Sequence, residues 1–268
     1  MDIEQFQARY DNFNVHRKVR EITGGYRRKT ATKLITTEGQ IIYDKKEIKD
    51  KWKTYIEELF NDTRPDPLQI SGESGPKILE EEVQAAINSL KEGKAPGPDG
   101  LEAEFLKLMN DENIRWLTMI FNQIYNSGNI PQEWLKSEFI VLPKKPGASK
   151  CSDFRTISLM SHLLKLFLKI IHRRIYKLCE EQIAPTQFGF RNAVGTREAL
   201  FSIQVLFQRC RDMNYDIYAC FIDYQKAFDR VQHYKMIEVL KNVGIDDKDL
   251  RIISNLYWNQ TAVVRNRK

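Results

Sequence analysis

Asp223 closes the run "IYACFID" (217–223), which is apolar at nearly every position, as a strand covered on both faces is. A carboxylate at the end of a buried strand is costly unless it is paired or binds a cation. Magnesium suits such a position, because it takes carboxylates together with substrate phosphates and keeps several waters. Many strand-end aspartates only cap the next helix, so Asp223 alone leaves both readings open. Asp229, six positions on in "FIDYQKAFDR" (221–230), reads as a brace of the following turn. Cations are plentiful elsewhere. Residues 136–175 hold nine Lys/Arg against Glu138 and Asp153, and residues 16–33 hold seven against Glu21. Residues 55–82 carry eight acids with only Arg64 and Lys77. Two basic blocks around an acidic one suit a polyanion met at defined places, and equally describe solvated helix faces.

Three segments, "IVLPKKPGASKCSDFRTISL" (140–159), "QFGFRNAVGTREAL" (187–200) and "FIDYQKAFDRV" (221–231), together resemble the successive fingers and palm motifs of reverse transcriptases. The similarity is closest to the non-LTR (LINE-type) retrotransposon branch, whose additional upstream motif "GKAPGPDGLEAEFLK" (93–107) resembles. Four motifs in the family's order over 93–231 make a specific match. The resemblance implies an RNA-directed DNA polymerase: RNA template, DNA primer and dNTP as partners, and two Mg2+ ions as cofactor. It implies an α+β fold, an incomplete right-hand polymerase with helical, basic fingers and a partial palm sheet.

Residue by residue, the resemblance makes Asp223 the first palm aspartate, catalytic and metal-binding, with the Ile222 carbonyl as a second metal ligand. Lys144 or Lys145, together with Arg155, would reach the triphosphate, Arg155 through its planar fork. The amides of Lys226 and Ala227 would face the triphosphate, and Phe228 would crowd the sugar 2′ position and favour deoxynucleotides. Lys94 in the 94–100 loop, and Gln187, Phe188, Gly189, Phe190 and Arg191, would support the template. Thr156 departs from the family, standing where proline is usual in Arg-Pro-Ile-Ser, so the turn that aims Arg155 loses a fixed φ. No Tyr/Phe-x-Asp-Asp segment occurs, so Asp223 is the only palm metal ligand present. A C-terminal polymerase half is therefore expected as a partner, and the chain alone is expected to be inactive. The alternative is a non-enzymatic, nucleic-acid-binding remnant of a retroelement, whose binding falls steeply with salt and ignores magnesium and dNTP.

The elements that must position these residues follow from periodicity. "LITTEGQIIY" (34–43) reads as a hairpin about Glu38-Gly39, and Asp44 with Glu47 as a capping box. Ile48, Trp52, Tyr55, Ile56, Leu59 and Phe60 then share one helical face. "NDTRPDPLQISGESGP" (61–76) reads as a linker. The expected organisation is an appendage over 1–60, that linker, and a polymerase part over 77–268. Within the last, helices are expected through Val83–Leu90, after Gly100, through Ile114–Ile124 to a Gly128 stop, over 158–179, and through Met236–Leu240 to Gly244. Asp247 is expected to cap one more helix. "EFIVLPKKPG" reads as a strand ending in a basic turn, and "TAVVRN" as the start of another strand.

Composition removes other classes. No run of about 18 uncharged apolar residues is present, so no membrane is expected among the partners. The N-terminus "MDIEQFQARYDNF" is charged from its second residue, unlike a secretory signal. Cys151, Cys179, Cys210 and Cys220 lack metal-ligand spacing and read as free thiols. His16, His162, His172 and His233 show no catalytic spacing, and Trp52 and Trp134 read as core residues. The run "YRRKTATK" (26–33) reads equally as an RNA contact or an import signal.

Overall fold

The computed structural model describes residues 33–36, 39–61, 65–67 and 69–265. The basic block 16–33 apart from Lys33, with His16 and the first 32 residues generally, lies outside the described residues. In chain order the elements are β1 (Leu34–Ile35), β2 (Ile41–Ile42), α1 (Lys45–Leu59), α2 (Glu80–Asn88), α3 (Ala103–Lys107), α4 (Asp111–Ser127) and α5 (Gln132–Leu135). They continue with β3 (Lys136–Pro143), a 3-10 turn (Cys151–Asp153), β4 (Phe154–Leu159), α6 (His162–Glu181), α7 (Thr196–Asp212), α8 (His233–Val243), α9 (Asp247–Asn259) and β5 (Thr261–Val264). The mixture is α+β, with a two-stranded sheet β1-β2 and a three-stranded sheet in the order β4-β3-β5.

Local chemistry explains where the helices begin and end. The Asp44 carboxylate accepts from the amides of Lys46 (2.9 Å) and Glu47 (3.0 Å), satisfying two donors that open α1. Asn110 caps α4 by accepting from the Asn113 amide at 2.9 Å, and Gly128 ends that helix in the left-handed region, φ 76°. Ser161 accepts from the Leu163 amide at 3.1 Å at the head of α6.

By contact, the described residues divide into two compact units: those up to Tyr55 with 140–157 and 264–265, and those of 56–139 with 158–263. In the first, β1 and β2 pair antiparallel, Leu34 opposite Ile42. Trp52 from α1 meets the Phe154 ring edge-on at 5.3 Å, in a small core with Leu34, Ile48 and Cys151. In the second unit α2 packs on α4 and α6, and α9 on α4 and α8. Their shared core includes Val83, Ile87, Leu117, Phe121, Ile124, Leu166, Phe167, Ile170, Ile252 and Leu256. Each large apolar side chain fully buried there is worth about 1.5–3 kcal/mol. Trp134 is partly buried against that core, edge-on to Phe121 at 6.1 Å.

The end of the stretch read as a linker is anchored. Asn122 of α4 accepts from the Ile78 amide and donates to the Ile78 carbonyl, both at 2.8 Å. Arg174 of α6 donates to the carbonyls of Pro76 (2.7 Å) and Lys77 (2.8 Å), and Ser74 accepts from the amides of Asp247 and Lys248 that open α9. Arg174 also pairs with Glu82 at 2.6 Å beside Tyr125 and the buried Asp249. Burial raises the Asp249 carboxyl to about 6, against the neighbouring Tyr125 hydroxyl and the charge of Arg174.

Two expectations are corrected. Asp247 is the first residue of α9 rather than its cap, the N-cap position falling to Asp246, and its carboxylate accepts from the Ser71 hydroxyl. "IYACFID" forms no strand, and Phe221 and Ile222 are exposed. A strand apolar on both faces needs a neighbour for its amides and a layer on each side, and among the described residues it has neither.

Candidate active site

The residues singled out from the sequence fall in both units. In the first unit, β3 runs into the Pro143-Lys144-Lys145-Pro146 turn and returns through the 3-10 turn into β4. The Lys144 amide donates to the Asp153 carbonyl at 2.9 Å, and its Nζ donates to the Ser152 carbonyl at 2.9 Å. Lys145 pairs with Asp153 at 3.1 Å, and that hydrogen bond is the main reason the Asp153 carboxyl lies below its usual range. Arg155 follows two residues later in β4, exposed and with no ion pair among the described residues. Of the three cations Arg155 is therefore the one left free for an external anion. Thr156 lies inside β4, so strand geometry supplies the fixed direction a proline would otherwise give.

In the second unit, Asp223 and Ile222 lie in the 217–224 stretch, which forms neither helix nor strand, and both are exposed. The chain then turns: the amides of Asp229 (3.1 Å) and Arg230 (3.2 Å) donate to the Lys226 carbonyl, and Lys226 is left-handed at φ 56°. A left-handed residue within a turn lets successive amides converge on an anion, and it costs a non-glycine residue of order 1–3 kcal/mol. Lys226, Ala227 and Phe228 all lie within that turn, with Phe228 exposed.

Phe228 does not stand alone. Its ring meets Phe190 edge-on, centroids 5.6 Å apart and planes at 85°. Phe190 is left-handed, φ 63°, and both rings are exposed. Gln187 donates from Nε2 to the Gly189 carbonyl at 3.3 Å, and a Cβ on Gly189 would meet no atom within 4 Å. Phe188 is half-buried. Arg191 is engaged, its Nε 3.5 Å from Glu180 and its Nη1 donating to the Ala184 carbonyl at 3.5 Å. Two motifs separated by more than thirty positions thus share an aromatic edge.

Lys94 is exposed in the 91–100 loop. Gly97 in that loop is buried, and a Cβ there would lie 2.5 Å from the Met160 carbonyl carbon and 2.6 Å from the Ser161 amide. The His162 ring Nδ1 lies 2.7 Å from the Leu101 carbonyl, a second tie between the loop and the start of α6. The Gly93 amide donates to Glu104 at 2.6 Å, which is the chief reason that carboxyl lies below its usual range.

The carboxylate of Asp223 is solvent-facing, which leaves it open to a cation. A two-ion site is not completed: no cluster of three or more His, Cys, Asp or Glu side chains occurs among the described residues. The one Asp-Asp pair, Asp246–Asp247, heads α9, where Asp247 meets the Ser71 hydroxyl.

Comparison with known proteins decides what these motifs belong to. Residues 142–268 match the family described as reverse transcriptase (RNA-dependent DNA polymerase). That match covers just under half of the chain and makes these residues similar to a reverse transcriptase. The chain is 36% identical over 187 residues to a probable RNA-directed DNA polymerase from transposon BS of Drosophila melanogaster, covering 68% of this chain and 20% of that protein. It is 32% identical over 183 residues to the RNA-directed DNA polymerase from mobile element jockey of Drosophila funebris, 66% of this chain and 20% of the relative. A Pol polyprotein from the type-1 retrotransposable element R2 of Popillia japonica is 27% identical over 191 residues, 70% of this chain and 25% of the relative. These are proteins of non-LTR elements, the branch to which the four motifs point. The chain spans about a fifth to a quarter of the length of these curated relatives.

Within residues 142–268, sequence reasoning missed the Phe190–Phe228 pair, because ring contact across a long separation leaves no periodic signal. It also missed helix α7, whose start was legible in Gly195-Thr196-Arg197-Glu198: Glu198 accepts from the Gly195 amide at 2.7 Å. His162, read as isolated, ties the upstream loop to α6.

Proposed function

We propose that this chain is the fingers and first palm segment of an RNA-directed DNA polymerase that adds deoxynucleotides to a primer on an RNA template. The observation that carries the reading is the family match over 142–268, which spans Lys144, Arg155, Gln187–Arg191 and Asp223–Phe228 together. Its support in the geometry is the Phe190–Phe228 edge, which joins the residue assigned to the template with the one assigned to the sugar. In this reading Arg155 holds the triphosphate, Lys144 and Lys145 shape the turn beside it, and the Lys226–Ala227 turn presents amides to it. Phe228 excludes a 2′-hydroxyl by bulk, while Lys94, Gln187, Phe188, Gly189 and Arg191 face the template. Asp223 with the Ile222 carbonyl would hold Mg2+, which supplies activation of the primer hydroxyl and charge neutralisation at the phosphates. In this reading residues 77–268 are the polymerase part, and their 140–157 segment shares a small core with Leu34, Ile48 and Trp52.

Because Asp223 is the only palm carboxylate ligand here, the 268-residue chain by itself holds nucleotide and nucleic acid without turning over. The test is binding of a labelled dNTP to the chain on an RNA–DNA primer-template, with and without Mg2+. The expected result is metal-dependent binding that Asp223→Ala abolishes and Arg155→Ala weakens, with no primer extension. Extension that disappears in Asp223→Ala would overturn the inactivity. Nucleic-acid binding indifferent to Mg2+ and dNTP would favour the non-enzymatic remnant, a reading the exposed, unpaired 217–224 stretch also supports.

A further inference from the structure

Helix α6 carries Lys165, Lys169, Arg173 and Lys177, a cation at every fourth position, with no acid until Glu180. On an α-helix that spacing keeps each side chain one turn above the last, drifting slowly around the axis. Lys165 and Lys169 are both half-buried, Lys165 with Asp99 nearby, so Lys169 is the inner end of the line and Arg173 and Lys177 are its exposed part. From Lys169 to Lys177 the rise is on the order of 12 Å, the axial length of three to four phosphates on one strand.

Two of these side chains are held in place by another helix. Lys169 Nζ donates to the Ser89 carbonyl at 3.1 Å, and Arg173 Nη2 to the Ala85 carbonyl at 3.1 Å. Both acceptors belong to the C-terminal end of α2, where unsatisfied carbonyls and the helix dipole favour cations. Lys91 follows directly after that end and stands close enough to repel Lys169, as Arg173 does. Burial first, then those two neighbouring charges, push the Lys169 ammonium below its usual range. No ion pair joins Lys91, Lys169, Arg173 or Lys177 to an acid among the described residues. Capping of α2 accounts for Lys169 and Arg173, but it leaves Lys91 and Lys177 without a role and brings like charges together with no acid between them.

We propose that Lys91, Lys169, Arg173 and Lys177 form a docking line for the phosphate backbone of a nucleic acid strand, separate from the motifs assigned to nucleotide and template. The line rests on the polymerase reading for the kind of polyanion it meets. Its contacts go to phosphates, so it is indifferent to base sequence. Fixing Lys169 and Arg173 on the α2 carbonyls orders part of the line before the strand arrives, lowering the entropy lost on binding.

The test is binding of the full chain to short single-stranded RNAs of two unrelated sequences, followed by fluorescence anisotropy across a salt series. The key variant is Lys91→Ala with Lys177→Ala, because neither side chain holds a backbone carbonyl and the fold is left intact. Each lost phosphate contact removes about 0.7 from the slope of log K against log salt, so the double variant's slope falls by about 1.4. Affinity should drop equally for both RNAs. Arg173→Lys, which keeps the charge, should bind nearly as the parent does. An unchanged slope in the double variant, or a loss confined to one RNA sequence, overturns the line while leaving the polymerase reading standing. So does a loss of binding to anionic phosphatidylserine vesicles with RNA binding untouched. A parent chain that binds no RNA overturns the line and the polymerase reading together.

Discussion

Helix α4 and helix α7 are the same length, both are amphipathic, and both lie in the second unit, yet their fates differ. α4 buries Ile114, Leu117, Phe121, Ile124 and Tyr125, whereas α7 buries nothing. Leu200, Phe201, Ile203, Leu206 and Phe207 are exposed along α7, and Phe221 and Ile222 are exposed just beyond it. An apolar stripe records that a face is built for burial, but burial itself needs a partner at the right place. α4 finds α2 and α9, and these close around Phe121 and Tyr125. α7 and the 217–222 stretch, which leads to Asp223, find no such layer among the described residues. The region carrying the proposed chemistry is thus the one whose own packing holds it least.

That contrast is broken most directly by one truncation in each region. Phe121→Ala, which empties a fully buried ring site against Phe167 and Trp134, should cost about 3–5 kcal/mol. Phe221→Ala should fall within about 0.5 kcal/mol of the parent, as exposed substitutions do. Urea unfolding of both variants measures the difference, and equal losses would mean that 217–222 is packed in solution. A smaller effect separates buried charge from buried ring. Asp249 is raised from 3.8 to about 6 by burial, so its neutral form is the one the fold favours. Its contribution is fully present below the unfolded value and is lost as pH rises through about 6. Asp249→Asn should therefore match the parent near pH 4 and gain on it as pH rises, by on the order of 2 kcal/mol at neutral pH. Thermal unfolding at several pH values checks this, and a pH-independent difference would exclude titration of Asp249 as its source.

The same contrast explains what could be read in advance. The helix expected over 158–179 is α6, the strand "EFIVLPKKPG" is β3, and the strands of the hairpin expected over 34–43 are β1 and β2, because in each case the apolar period agrees with the element. The strand expected at 217–223 is absent for the reason that left α7 unburied. Continuous apolarity says that two covered faces are wanted and nothing about whether they are supplied. Among the proposed site residues, the engagement of Lys145 by Asp153 and of Arg191 by Glu180 was equally illegible. Charge composition counts cations; only placement tells which of them is already paired.

Two glycines sharpen the point at intermediate size. Gly97→Ala drives a Cβ to 2.5 Å from the Met160 backbone, and overpacking of that kind costs about 1–3 kcal/mol. Gly189→Ala meets open space, so its stability should stay within about 0.5 kcal/mol of the parent. Chemical denaturation of the two variants measures the difference, and a loss at Gly189 as large as at Gly97 would mean that the 187–191 segment is enclosed in solution.

The smallest effect falls on the aromatic pair. Phe190 and Phe228 are both exposed, so neither owes its position to a core, and their edge contact should be worth about 0.5 kcal/mol, the low end for aromatic pairs. A double-mutant cycle over Phe190→Ala and Phe228→Ala isolates that coupling from the two separate truncations. The same cycle, run on the preference for dNTP over rNTP in the binding assay, asks whether the contact serves the site. If Phe190 holds the ring of Phe228 against the sugar, either truncation lowers the preference and the second adds little. If Phe228 excludes the hydroxyl unaided, only its own truncation matters, and the contact is no more than two exposed rings sharing an edge.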